Sequence, residues 1–312
     1  RYRLSPSKLR RQAVVKNHSL ASDISTIQLA YRPPYDWQGI LRFLELRALK
    51  NTEWVGNGFY CRTIRLANHM GWVRVRKSSD KDALNLEFTN SLTPVLPALI
   101  GRLRNLFDVS ARPDVIAKCF VGDRMLGAQL HANPGLRVPG AFDGFELAVR
   151  AVLGQQISVK AATTLAGRLT EKYGQKIVTP YLELTRLSPR PERIAASSAD
   201  EIAGLGIVGA RARTILALAR AVTSGTLKLE AGADPSWTME RLIAIEGIGA
   251  WTAHYIAMRA LRWTDAFPST DLVLRKNLGG VSARQAEEMS QAWRPWRSYA
   301  VLHIWSGAQQ AI

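Results

Sequence analysis

The sequence predicts an α+β fold: an N-terminal antiparallel sheet with helices on one face, followed by an all-α domain. Three observations carry this. Between residues 24 and 112 apolar and polar residues alternate in several short runs, the period of half-buried strands. From residue 113 that period gives way to helical spacing. The helical part is also punctuated by glycine turns, most clearly in "LIAIEGIGAWTAHYIAMRAL", Leu242 to Leu261. The expected units are a basic segment at 1–20, an antiparallel α+β domain at 24–112 and a helical domain at 113–312.

In chain order, "LSPSKLRRQA" reads as a short helix, with Ser5 as cap and Pro6 in the first position. "STIQLAY" is a strand. "DWQGILRFLELRAL" is a helix capped by Asp36, with Ile40, Phe43, Leu44 and Leu46 as its apolar set. "FYCRTIRLA", "WVRVRK" and "LNLEF" form a three-strand meander, joined by the turns "NHMG" and "SSDKDA". "TPVLPALIGRLRNLFDV" returns to helix. "FDGFELAVRAVLG" and "ISVKAATTLAGRLTEKYG" are helices, the second ending on Gly174 as a glycine just past the helix end. "SADEIAGLGIVGARARTILALARAV" and "SWTMERLIAIEGIGAWTAHYIAMRAL" are both helix–glycine turn–helix units. They align through "IAGLGIVGARA" and "IAIEGIGAWTA" as a weak internal repeat. "TDLVLRKNLGG", "SARQAEEMSQAW" and "RPWRSYAVLHIWSGA" complete the helices.

The chain carries 42 Lys and Arg against 25 Asp and Glu, a net charge of +17. A basic surface of this size suits a phosphate backbone, though solubility alone also favours charge. No apolar run approaches the roughly 18 residues of a membrane span, and the basic start is followed by no apolar signal core. A cytoplasmic, nucleoid-associated protein with no membrane partner is expected. Two distant cysteines, Cys61 and Cys119, cannot supply a four-cysteine zinc or iron–sulfur site. No cofactor is expected.

The turn Gly247-Ile248-Gly249-Ala250 places successive backbone N–H groups at the start of the next helix, which suits an anion. No metal is required, although the hairpin carbonyls could hold a monovalent cation. A tight helix corner would use the same glycines. Downstream, Asp271 opens the helix of "FPSTDLVLRKNLGG". An Asp there is commonly just a cap, worth about 1 kcal/mol, but a helix start also favours the ionised carboxylate.

"EGIGAWTAHY", the Asp of "STDLVL" and "RPWRSYAVLHIW" together resemble the helix-hairpin-helix DNA glycosylases, specifically the alkylated-base, AlkA-type class. "YRPPYDW" and "AFDGFELAVRAVLGQQIS" extend the resemblance over nearly all of residues 28–307. The first residues also resemble the last helix of an AraC-type domain, as in a chain cut from a longer fusion.

The resemblance implies a monofunctional glycosylase of base excision repair. It would flip alkylated, cationic purines such as 3-methyladenine out of double-stranded DNA and hydrolyse their N-glycosidic bond, acting as a monomer. Asp271 takes the place of the essential carboxylate, which stabilises positive charge building on C1′. A cationic base leaves without a general acid, so one carboxylate suffices. Phe43, Trp251, Tyr255 and Trp305 match the aromatics of the base pocket, where an electron-poor ring stacks. Trp251 stands where bifunctional relatives carry a Schiff-base lysine, so no strand cleavage is expected.

Two positions depart from the family. Gln156 stands where the family's apolar wedge follows the Gln of "LGQ", and Leu272 follows the catalytic Asp where an aromatic is expected. Leu272 is still counted among the pocket residues. The rival reading is a non-catalytic helix-hairpin-helix DNA-binding module or a regulator. Asp271 and the aromatic set argue against it, because backbone binding needs neither.

Overall fold

The structure, a computed structural model, describes residues 23–310. The expected Ser5-capped helix and the AraC-like stretch lie outside them. Five strands, β1 (Ile24–Ala30), β2 (Glu53–Gly56), β3 (Phe59–Leu66), β4 (His69–Lys77) and β5 (Ala83–Thr89), form one antiparallel sheet in the order β1-β5-β4-β3-β2. The meander therefore has four strands rather than three. The extra strand, β2, pairs Glu53 with Arg62 and closes on β3 through Asn57-Gly58, with Gly58 at φ +79°. Four residues ending in glycine carry too little alternation to read as a strand, but an Asn-Gly pair between apolar runs was a usable turn signal.

Helices α1 (Trp37–Glu45) and α2 (Leu96–Leu106) cover one face of the sheet. Asp36 caps α1 as expected, its carboxylate accepting from Gly39 N at 2.7 Å. The buried face of α1 is Trp37, Ile40, Leu41 and Leu44. Leu46 is past the end of the helix and exposed, and Phe43 faces the helical part of the chain, where it also packs against the core that holds Ala257, Met258 and Leu274. On the opposite sheet face, Trp54, Cys61 and Trp72 are covered by Tyr181 and Leu184 from a long loop of the helical part.

The helices α3 (Pro113–Phe120), α4 (Leu126–Ala132), α5 (Gly144–Leu153), α6 (Val159–Tyr173), α7 (Pro191–Ala195), α8 (Ala199–Ala203), α9 (Gly209–Thr223), α10 (Pro235–Ile243), α11 (Ala250–Arg259), α12 (Leu272–Asn277), α13 (Ala283–Ser290) and α14 (Arg297–Gln310) make up the rest. Helix α6 ends at Gly174, as expected, with extended backbone (φ −73°, ψ 138°). Glycine is needed there for space: a Cβ would lie 2.5 Å from the carbonyl oxygens of Leu187 and Thr170.

Helix α11 sits between two cores. Ala253 and Ile256 belong to the core of α5, α6 and α9, whereas Ala257 and Met258 belong to the core of α3, α4, α12 and α14. Two buried polar junctions fasten the sheet to the helices. Glu53 and Arg62 of the sheet meet Glu146 and Arg150 of α5, with Arg62–Glu146 at 2.9 Å and Arg150–Glu53 at 3.0 Å. Two acids facing two guanidiniums leave that junction without net charge. Asp108, fully buried, accepts from Arg262 at 2.6 Å and from the Tyr299 hydroxyl at 2.7 Å. Paired charges of this kind hold position because separating them strands a buried ion. No helix of the described residues is long and apolar enough to cross a membrane.

Candidate active site

Asp271 is the N-cap of α12, and its Oδ1 accepts from Leu274 N at 2.6 Å. The capping role is therefore real, but it uses only part of the carboxylate. The indole N–H of Trp251 donates to Oδ2 at 2.7 Å and that of Trp305 to Oδ1 at 3.2 Å. Indoles donate and never accept, so both point an N–H at the carboxylate and fix its plane. Asp271 retains 9 % exposure.

Two aromatics, Trp251 and Trp305, touch this carboxylate, and Tyr255 packs against both. Trp251 and Tyr255, one turn apart on α11, stack with centroids 5.4 Å apart and 6° between planes. That spacing leaves no room for a further ring between them, so only the outside of the pair is open to a planar ligand. Trp305 of α14 lies 6.4 Å from Tyr255, tilted by 42°. Phe43 is linked to the cluster through Arg259, whose guanidinium lies 4.7 Å from the Phe43 centroid and 5.6 Å from that of Tyr255; the Arg47 guanidinium lies 3.9 Å from the Phe43 centroid. Leu272 is not brought into this cluster: as the first residue after a buried cap it turns outward and is 76 % exposed.

The polar end of Tyr255 was not anticipated. Arg259 donates to its hydroxyl at 2.7 Å and spends its other donors on the carbonyls of Pro139 and Gly140. Burial alone would raise the Tyr255 hydroxyl, yet the guanidiniums of Arg259, Arg47 and Arg150 hold it below its ordinary value. Arg259 sits four residues after Tyr255, a spacing that marks the same helix face; Arg47 also follows Phe43 by four residues but lies in the turn after α1.

The hairpin glycines have separate duties. Gly247 sits at φ +89°, and a Cβ would lie 2.2 Å from the Thr214 hydroxyl oxygen, which itself donates to Glu246 O at 2.8 Å. Ile248 is buried and anchors the turn. Gly249 has ordinary extended backbone with open space where its Cβ would be, and it starts α11 without a side-chain cap. Packing explains Gly247 and does not explain Gly249. With exposed Ala250, the turn presents uncapped N–H groups to the surface. The repeat unit has the same geometry, Gly206 at φ +85° followed by buried Ile207.

Gln156 is exposed at φ +56° in the turn between α5 and α6. Its neighbour Gln155 donates to Gly247 O at 2.9 Å and to the Thr252 hydroxyl at 3.0 Å. That ties the Gln156 turn to the hairpin, a contact with no sequence signal of its own.

A capped carboxylate held by two indoles lies beside an aromatic cluster whose helix α11 starts from an open glycine hairpin, which defines a helix-hairpin-helix architecture with a candidate active site. The AlkA N-terminal domain family matches residues 26–143, and the HhH-GPD superfamily of base excision DNA repair proteins matches residues 149–298. DNA-3-methyladenine glycosylase 2 of Escherichia coli is 34% identical over 279 residues, 89% of this chain and 95% of that protein. A probable bifunctional transcriptional activator/DNA repair enzyme AlkA of Mycobacterium tuberculosis is 36% identical over 317 residues; the match takes in 99% of this chain and 62% of that protein's length. Among solved structures, a 3-methyladenine DNA-glycosylase from Archaeoglobus fulgidus superposes with a TM-score of 0.77 at 20% identity, covering 89% of this chain and 96% of that one, a likeness of fold. The chain belongs to the HhH-GPD superfamily of base excision DNA repair proteins, in the branch that carries an AlkA N-terminal domain.

Proposed function

We propose that this protein is a monofunctional DNA glycosylase that excises alkylated, cationic purines from double-stranded DNA. The observation that carries the reading is the Asp271 carboxylate, held by Trp251 and Trp305 beside the stacked pair Trp251–Tyr255. The named activities of the relatives agree with it.

The damaged nucleotide leaves the stack and its base lies against the outer face of the aromatic pair. As the C1′–N bond lengthens, its electron pair goes to the base and positive charge grows on the sugar. Asp271, fixed by two indoles and the Leu274 amide, faces that charge with no reorganisation. A cationic base departs neutral. Water adds to C1′ and gives up its proton, leaving an abasic site. No lysine stands at position 251, so strand cleavage is not part of the reaction. The hairpin amides take a phosphate, Gln156 fills the gap in the duplex, and the protein works as a cytoplasmic, nucleoid-associated monomer without a cofactor.

The test is Asp271→Asn against methylated duplex DNA, with chromatography of released bases. Release should be lost while DNA affinity stays near wild type. Wild-type turnover in the variant would remove the assignment.

A further inference from the structure

The buried charges around Tyr255 do not balance. Arg62 and Arg150 are matched by Glu53 and Glu146. Arg259 is not matched by an acid among the described residues, but its donors end on two carbonyls and the Tyr255 hydroxyl, and it is 4 % exposed. Arg47 is different. Among the described residues no carboxylate pairs with it; it is half-buried, and its guanidinium donates from Nη1 to Phe43 O at 3.2 Å. Its guanidinium lies over the Phe43 ring and within hydrogen-bonding reach of Tyr255. A planar fork with five donors, stacked and only partly used, is an oriented cation with N–H groups to spare.

The pocket is thus polarised. Asp271 marks the sugar end, through its bond to Trp251. The Tyr255 ring stacks on Trp251 and carries its hydroxyl toward Arg259 and Arg47 at the other end. A base lying along this surface with its sugar at Asp271 extends toward Arg47.

We propose that Arg47 is a specificity-determining residue that donates to the acceptor edge of neutral damaged bases and so extends the reaction beyond cationic ones. The inference rests on the glycosylase reading above. When the C1′–N bond of a neutral base breaks, the electron pair leaves the base negatively charged; a guanidinium at a carbonyl oxygen or ring nitrogen offsets that charge until water supplies the proton. A cationic base departs neutral and gains nothing from this donor. Arg47 therefore works against the aromatic preference for cations and widens the substrate range to uncharged purines with a carbonyl edge.

The test measures single-turnover excision of 7-methylguanine and of hypoxanthine from matched duplexes by wild type, Arg47→Met and Arg47→Lys. Thermal melting is recorded for each, together with affinity for undamaged DNA. Methionine keeps the bulk over Phe43 and removes the donors; lysine keeps the charge. Arg47→Met should lower the ratio of the hypoxanthine rate to the 7-methylguanine rate by about 30-fold, the usual scale of a hydrogen bond to a charged group, and Arg47→Lys should recover most of it. Equal slowing of both lesions, or lysine no better than methionine, would overturn the proposal. So would an equal loss accompanied by weaker binding of undamaged DNA, which would make Arg47 a phosphate clamp. A wild-type protein that releases neither base would instead sink the glycosylase reading and leave the Arg47 argument without a reaction.

Discussion

The Trp251 indole N–H donates to Asp271 Oδ2 at 2.7 Å, so a residue expected to stack on the base also aims the carboxylate. The two roles separate on substitution. Trp251→Phe keeps an aromatic face against Tyr255 and deletes the donor. Base release should slow about 10- to 100-fold, the range for a lost hydrogen bond to a charged acceptor, with DNA affinity within about twofold, since binding rests on backbone phosphates. Single-turnover kinetics beside a binding titration decide it. An unchanged rate would mean the bond is only packing.

The two hairpin glycines should fail in different ways. Gly247→Ala meets both a positive φ and the Thr214 hydroxyl, so it should melt earlier by an amount worth about 1–3 kcal/mol. Gly249→Ala enters open space and should melt like wild type. Gly249→Asp should also fold, yet lose affinity for DNA of every sequence, because a carboxylate would occupy the place of a phosphate. Affinity lost only for some sequences would mean that the hairpin reads bases.

What the sequence disclosed and what it hid follow one physical division. Asp271, the hairpin and the paired aromatics were legible because capping, glycine turns and helical spacing are local rules. The bonds from Trp251 and Trp305 to Asp271 were not, since they depend on how α11, α12 and α14 dock. Arg259 shares a helix face with Tyr255, and Arg47 follows Phe43 by four residues in the turn after α1, but in a chain with 42 basic residues nothing marked them as the pair turned toward these rings. Gly174 was legible as the end of α6, but not the reason for it, since the close approach of Leu187 and Thr170 is set by packing.

His303 gives the fold an acid limit. Burial pushes its imidazole down to about 4, against an ordinary 6.5, and the ring packs edge-on to Phe120. His254, half-buried, is shifted the same way by its partial burial and accepts from Phe267 N. A group whose folded form prefers to be neutral contributes fully above the unfolded value. Stability should therefore be complete near pH 7 and fall as the pH drops from 6.5 toward 4, with His303 contributing about 2–3 kcal/mol of the loss. Chemical denaturation at several pH values should show the slope, and His303→Leu should flatten part of it. A slope unaltered in that variant would assign the acid sensitivity to other groups.

Gln156 is exposed at φ +56°, in a conformation that costs a non-glycine residue about 1 kcal/mol. Gln155, bonded to the hairpin carbonyl and to Thr252, holds the turn in place against that cost. The strain and the side chain can be tested apart. Gln156→Gly relieves the backbone and removes the group that would fill the duplex when a base is extruded, so the protein should melt no earlier while excision slows. The slowing should be the same for cationic and neutral lesions, because the side chain acts on the gap and not on the base. Gln156→Leu should act in the opposite sense: an apolar wedge stacks better than an amide in the emptied space and should speed extrusion several-fold for every lesion. The measurements are single-turnover rates on one cationic and one neutral lesion, with a fluorescent base analogue beside each to report unstacking. Unequal slowing of the two lesions by Gln156→Gly would place this side chain against the base. An unchanged extrusion signal in both variants would mean that another residue fills the gap, and the exposed, apolar Leu272 beside Asp271 would then be the first to substitute.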